Sequence, residues 1–407
     1  MKKILFLSII IAMMSLSACG TLEVSLDRTP IPGADSSQIS TIVAATLAAI
    51  PSTTPIPEPT ATLTPEEPPV LPRSLYFLEP DEQGVSQVYR IARDGFRWTQ
   101  ITSEAESISS FYVSSVDGSL LYSMLNGGII ALDSSGTERR VLVEYLTSDP
   151  VWSSNGEMVA YSEEGNLYLY TFATESITLL LAGSETEAFY PKQFSPDGKK
   201  LLVTSVSQSP DAPTERDVVK IYDFDSRKLI AISWSDGLPP CSNQDVSWIT
   251  TDSFFCSLSV VGIGAILILP GLWRVNANDG SVEALLSSKT PPFQIVGAPR
   301  QDRMGNIYYF YGEDDGTLLY REEYSALSLV LSGANDLTKR TVLRPENYWV
   351  WDALWAPDES GIVIIEHTGD RISKGDLVFV PVNSADPTVT LLPDASAMQD
   401  NSLRWGP

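Results

Sequence analysis

The chain has 407 residues, with 27 Lys plus Arg against 51 Asp plus Glu and a single His, which gives a formal net charge of −24. A chain this acidic has no electrostatic footprint for a phosphate backbone, so nucleic acid is excluded as a partner, and anionic lipid surfaces repel it. Three Cys and one His leave almost nothing for a metal cluster or a His-based catalytic site.

Lys2 and Lys3 form a cationic start, and Ile4 to Leu16 is an uncharged run. The run is too short for a membrane-spanning helix and right for a signal-peptide core. It ends in Leu16-Ser-Ala-Cys19-Gly20, which resembles the lipobox of bacterial lipoproteins. The resemblance implies cleavage after Ala18 and a diacylglycerol on the Cys19 thiol. Residues 1–18 are therefore expected as signal peptide, and the mature chain as membrane-anchored outside the cytoplasm, at the cell surface or in the periplasm.

Residues 19–73 read as a disordered tether. The stretch 51–72 holds eight Pro and five Thr, which cannot build a core and favours polyproline II. At about 3.1 Å per residue it reaches roughly 70 Å. Just before it, Ile39, Ile42, Val43, Leu47 and Ile50 recur at helical spacing up to Pro51. That run is either a frayed helix in the linker or a membrane-skimming or self-associating one.

From Ser74 to Pro407 the chain holds 23 basic and 45 acidic residues and becomes periodic. An aromatic or small residue, a polar turn and an apolar strand recur from Phe111, Trp152, Phe194, Trp248, Ala298 and Trp355. Their spacings of 41, 42, 54, 50 and 57 residues suit a four-stranded propeller blade with loop insertions. Between them lie strand-turn-strand units such as Val88-Tyr-Arg-Ile-Ala-Arg-Asp-Gly95 and Val219-Lys-Ile-Tyr-Asp-Phe-Asp-Ser226. In Phe194-Ser-Pro-Asp-Gly198, Pro presets φ, Asp caps turn amides and Gly takes positive φ, so the acids of these turns read as structural.

Phe194-Ser-Pro-Asp-Gly198 with its following strand, the Leu/Val-Tyr-x-x-Asp strand ends, and Arg93-Asp-Gly95 running to Gln100-Ile-Thr102 resemble the WD-like repeats of TolB-type β-propellers. The resemblance covers Ser74 to Pro407 and speaks to fold. The N-terminal domain of TolB itself has no counterpart, because that region reads as signal and linker, so its partners do not carry over. Such propellers also cap prolyl-oligopeptidase-type hydrolases, which need a further hydrolase domain, whereas this sequence stops at the strand expected to close the ring.

Outer strands are expected at 97–101, 138–143, 177–181, 228–232, 282–286, 340–343 and 388–392, giving seven blades, with six or eight as alternatives. Leu403-Arg-Trp405 is expected to close the ring as the innermost strand of the first blade, removing free edges. Trp152, Trp248, Trp355 and Trp405 then occupy equivalent innermost positions and pack between blades. Insertions at 205–218, 260–271 and 367–375 and long connections at 233–246 and 344–354 all fall on one face, the expected binding face. Arg344-Pro-Glu-Asn-Tyr-Trp-Val-Trp-Asp352 is the densest aromatic cluster outside the expected strands. It nominates Tyr348, Trp349 and Trp351 as a stacking or peptide-docking surface, the alternative being that these residues pack under neighbouring loops.

Val260 to Leu269 carries no charge, as either a partner-docking loop or an elongated buried strand pair. With Cys19 lipidated, Cys241 and Cys256 are a candidate disulfide, worth about 3 kcal/mol in the chain-entropy model. The expected hairpin register nevertheless puts Cys256 nearer Val246 than Cys241. No Gly-x-Ser-x-Gly elbow, phosphate loop, His-Glu-x-x-His helix or Cys-x-x-Cys pair occurs, and His367 reads as a solvated loop residue. No catalytic residue, metal ligand or cofactor is expected, although calcium could bind Glu313-Asp-Asp-Gly316 or Asn276-Ala-Asn-Asp279. The sequence therefore favours a non-catalytic, lipid-anchored scaffold with a monomeric head that binds a protein, peptide or glycan. The alternative is a carbohydrate hydrolase or lyase using paired carboxylates.

Overall fold

A computed structural model describes residues 69–407 except 126, 145–149, 208–217, 234–244, 259–270, 289, 291, 315–326, 335, 349, 367–373 and 397–402. The expected signal, Cys19, most of the expected tether and the 36–50 run therefore lie outside the described residues. The strands form seven four-stranded antiparallel sheets, each a blade.

Three strands of blade 1 come first: β1 (Leu75–Pro80), β2 (Ser86–Ile91) and β3 (Trp98–Gln100). Blade 2 holds β4 (Ile108–Val113), β5 (Leu120–Met124), β6 (Ile129–Leu132) and β7 (Arg139–Val143). Blade 3 holds β8 (Val151–Trp152), β9 (Met158–Glu163), β10 (Asn166–Thr171) and β11 (Ser176–Leu181). Blade 4 follows with β12 (Glu187–Phe194), β13 (Lys200–Ser207), β14 (Val218–Asp223) and β15 (Lys228–Ala231). Blade 5 is β16 (Asp245–Thr250), β17 (Ser253–Leu258), β18 (Gly271–Asn276) and β19 (Val282–Ser287). Blade 6 is β20 (Phe293–Gln301), β21 (Ile307–Asp314), β22 (Leu327–Gly333) and β23 (Asp336–Tyr348). Blade 7 is β24 (Val350–Trp355), β25 (Gly361–Glu366), β26 (Lys374–Pro381) and β27 (Val389–Ser396). The last strand, β28 (Leu403–Trp405), returns to blade 1 and pairs antiparallel with β1, Leu75 opposite Trp405. The expected closure is thus formed, and the ring has no open inner edge.

Why both faces of each blade are apolar follows from the ring. The buried hydrophobic residues fall into seven clusters, and each cluster combines two adjacent blades. Alternation along one strand therefore serves two seams: Leu120 and Tyr122 of β5 face blade 1, and Leu121 faces blade 3. The head also begins before Ser74. Leu71 is fully buried in the seam between blades 7 and 1, its N–H donating to Arg93 O at 2.9 Å. An apolar Leu thus covers the joint that closes the ring, ahead of the expected start of the head at Ser74.

The turns keep one hydrogen-bond scheme even where the sequence departs from Ser-Pro-Asp-Gly. Ser195 Oγ accepts from Lys200 N at 2.9 Å and donates to Asp197 Oδ1 at 2.7 Å, with Gly198 at φ 71°. Ser153 Oγ likewise accepts from Met158 N at 2.9 Å and donates to Asn155 Oδ1 at 2.7 Å. The turn carboxylates are held down by these bonds. Asp133 lies at about 2 because the Ser135 hydroxyl and then the Glu138 amide donate to it, and Asp94 lies at about 2 through the Arg97 and Phe96 amides. These acids are structural, as the turn chemistry predicts.

Candidate functional site at the insertion face

Innermost strands run from one face of the propeller to the other. The first-to-second-strand hairpins mark a turn face, built of tight turns such as Ser195–Gly198 and Asp302–Gly305. The connections from second to third strands and from blade to blade all return to the opposite face. Connections 208–217, 234–244, 259–270, 315–326, 367–373 and 397–402 join strands that end there. Blade 3 is the contrast: β9 and β10 are joined tightly through Glu164 and Gly165, at φ 50° and 78°.

Among the described side chains at this face, one polar group spans three strands of blade 4. Glu187 opens β12, and its Oε1 accepts from Lys220 Nζ of β14 and from Ser205 Oγ of β13, both at 2.6 Å. Lys220 also lies 5.8 Å from the centre of the Phe189 ring. The Lys220 ammonium and then the Ser205 hydroxyl hold the Glu187 carboxyl below its usual range. Such a carboxylate stays ionised and neutralised in place. With its carboxyl held below the usual range, it is a weak base.

Two other polar groups have the same character. Glu104, at the entry to blade 2, accepts from Arg139 Nε at 2.9 Å and from Tyr122 Oη at 2.5 Å. Burial raises its pKa, but the Arg139 and Tyr122 donors outweigh that and hold it low. In blade 6, Arg340 stacks 3.7 Å over the centre of the Tyr311 ring while Tyr311 Oη donates to Glu313 at 2.6 Å. Burial and then the Glu313 carboxylate push the Tyr311 phenol up, so it remains a donor at all ordinary pH. Among the described residues, no group of three His, Cys, Asp or Glu is placed to hold a metal ion.

The aromatic segment from Arg344 to Asp352 is not a loop. Residues up to Tyr348 belong to β23, and those from Val350 belong to β24. Arg344 draws β23 into the seam with blade 7, donating from Nε to Pro381 O at 3.2 Å and from Nη2 to Asn383 O at 2.9 Å. Tyr348 is 2% exposed and meets Phe310 edge-on with centroids 5.7 Å apart, so it offers no docking surface. Trp349 and the Trp351 side chain lie outside the described residues. So do Cys19, Cys241, His367 and the apolar insert 260–269.

Cys256 is fully buried in the seam between blades 4 and 5 and is disulfide-bonded. Val246 faces it across the β16–β17 ladder, the register expected from the hairpin. In the Asn276–Asp279 turn, Asn276 Oδ1 accepts from the Asn278 amide and Asp279 Oδ1 from Ser281, so these oxygens serve the turn. Glu187, Ser205 and Lys220 carry no motif and were not among the residues nominated from sequence. Only the register of β12, β13 and β14 brings them together.

No family model matches the sequence, and no curated protein matches it. Among solved structures, TolB from Acinetobacter baumannii is 13% identical, with 79% of each chain covered and a TM-score of 0.41. The oligogalacturonate lyase of Vibrio parahaemolyticus is 12% identical over 79% of this chain and 84% of its own, with a TM-score of 0.52. A prolyl endopeptidase is 10% identical over 82% of this chain at a TM-score of 0.54, and the match spans 49% of that enzyme's length. At these identities the likeness is one of fold alone, and the chain, with seven four-stranded blades closed by its last strand, is a seven-bladed β-propeller.

Proposed function

We propose that this chain is a lipid-anchored extracytoplasmic protein whose propeller head is a non-catalytic scaffold, binding a protein, peptide or glycan through its insertion face. The observation that carries the reading is that the strands joined by the long connections end on one face of the ring, while the other face is built of tight turns. The neutralised state of Glu187 and Glu104 supports binding over acid–base chemistry. The signal-like start and Leu16-Ser-Ala-Cys19 support anchoring through Cys19, and the charge of −24 supports a head without nucleic-acid or anionic-lipid partners. The head is taken to act as a monomer.

A photo-crosslinking amino acid placed in the full-length protein in its own envelope tests the binding reading. Position 125 beside the β5–β6 connection and position 164 probe the insertion face; positions 117 and 304 probe the turn face. Adducts from the first pair alone support the reading, and adducts from the second pair alone overturn it. Anchoring is tested separately: labelled palmitate should enter the wild type and not the Cys19→Ala variant.

A second reading, a carbohydrate lyase or hydrolase, takes its substrate class from the fold likeness to oligogalacturonate lyase. Release of new unsaturated or reducing ends from oligogalacturonate by the purified protein would put this reading in place of the first.

A further inference from the structure

The head carries 23 basic and 45 acidic residues, yet its seven innermost strands are balanced. They hold the cations Lys192, Arg300 and Arg404 and the carboxylates Glu187, Asp245 and Asp352. The two signs are also sorted along the strands. Glu187 and Asp245 open β12 and β16 at the insertion face, whereas Lys192 and Arg300 lie near the turn-face ends of β12 and β20. Arg404 sits in the three-residue β28, just before Gly406 and Pro407; the latter packs beside the turn-face residue Gly118. The three cations of the innermost strands therefore lie toward the turn-face end of the ring, and Glu187 lies toward the other.

Arg404 is the informative member. Its guanidinium lies 4.2 Å over the centre of the Tyr112 ring, reaching from the innermost strand of blade 1 to that of blade 2. Among the described residues it has no carboxylate within ion-pair distance, and its one hydrogen bond runs from Nη1 to the carbonyl of its neighbour Leu403 at 2.7 Å. Arg300, by contrast, has Glu359 at 3.9 Å. A guanidinium has five N–H donors, and stacking occupies its face while leaving its edge for a forked pair with an oxyanion. In a head with so large an excess of acid, an Arg without a carboxylate is not explained by a shortage of partners.

We propose that the turn-face end of the axial channel is an anion site, taking a ligand with a carboxylate or phosphate group, with Arg404 in direct contact and Tyr112 fixing its plane. This site lies at the end of the propeller opposite the insertion face and does not depend on the scaffold reading.

Calorimetric titration of the full-length protein with citrate and with inorganic phosphate, and with glucose as a neutral control, tests it. At least one anion should saturate below about 20 mM and glucose should not, and the affinity should fall as ionic strength rises. Arg404→Gln should weaken binding by at least about tenfold, Arg404→Lys by several-fold through loss of the fork, and Tyr112→Leu by several-fold through loss of the stack. Which probe binds more tightly identifies the group. Unchanged affinity in R404Q with its thermal midpoint preserved would overturn the proposal, as would saturation by neither anion. If R404Q does not fold, R404K and Y112L decide, and wild-type affinity in both overturns it.

Discussion

The indole N–H of Trp405 donates to the carbonyl oxygen of Trp355, 2.7 Å away, across the joint between the last blade and the first. Trp355 repeats the bond one blade earlier, donating to Ala298 O at 2.7 Å. At the sequence-equivalent positions in blades 3 and 5, the Trp152 and Trp248 Nε1 atoms are buried without a partner among the described residues. Trp405→Phe should therefore cost about 1–2 kcal/mol, whereas Trp152→Phe, which removes an unpaired donor, should cost less. Urea denaturation of the two variants side by side checks the difference. Deleting residues 403–407 should do more, exposing the β1 edge and producing aggregation visible by light scattering.

Leu71 gives a second prediction. Leu71→Ala removes a fully buried side chain from the seam between blades 7 and 1 and should cost about 2–5 kcal/mol. A fragment starting at Ser74 should likewise unfold at lower urea than one starting at Pro69. Equal midpoints would return Leu71 to the tether.

Acid should loosen the turns in a defined window. Asp94, Asp133 and Asp336 are each lowered from 3.8 to about 2. For Asp336 the Thr338 hydroxyl and then the Lys339 ammonium are responsible. Because the folded value lies below the unfolded one, the stabilisation is complete above about pH 4 and disappears as pH falls through about 2. Urea midpoints measured from pH 5 to 2 should drop through that interval, and Asp133→Asn should make the drop shallower.

Gly280 and Gly136 separate two costs of positive φ. Both adopt it, at 73° and 74°, but a Cβ on Gly280 would sit 2.1 Å from Ala231 O, whereas on Gly136 it would meet open space. Gly136→Ala should cost about 1 kcal/mol from backbone strain alone. Gly280→Ala should cost clearly more, since blade 4 must move away from the turn of blade 5. Thermal unfolding of both variants reports the gap.

Cys256 should resist thiol reagents under non-reducing conditions even after unfolding, since it is disulfide-bonded. Peptide mapping of the alkylated, unreduced protein checks this, and we expect Cys241 as its partner. Alkylated Cys256 in that sample would contradict the bond.

The blades were legible in the sequence because their cause is local. Turn residues such as Ser195, Asp197 and Gly198 hydrogen-bond within a few positions of one another, and alternation along strands such as Leu120–Met124 records burial on two sides. Even the closing strand could be read, since the first blade opens at β1 without an innermost strand and Leu403-Arg-Trp405 is left over to supply it. The candidate sites were less legible. Tyr348 looks like a loop aromatic until Arg344 finds the carbonyls of blade 7, and that attachment depends on residues 37 and 39 positions away. Glu187 meets Lys220 across 33 positions, and Arg404 reaches Tyr112 from the far end of the chain. The sequence by itself determined a propeller, its repeat and its closure, because short-range hydrogen bonding and alternation encode them. Only the tertiary structure decided which charges are neutralised and that Arg404, among the described residues, stacks on Tyr112 with no carboxylate within ion-pair distance, because register and ring closure alone set those distances.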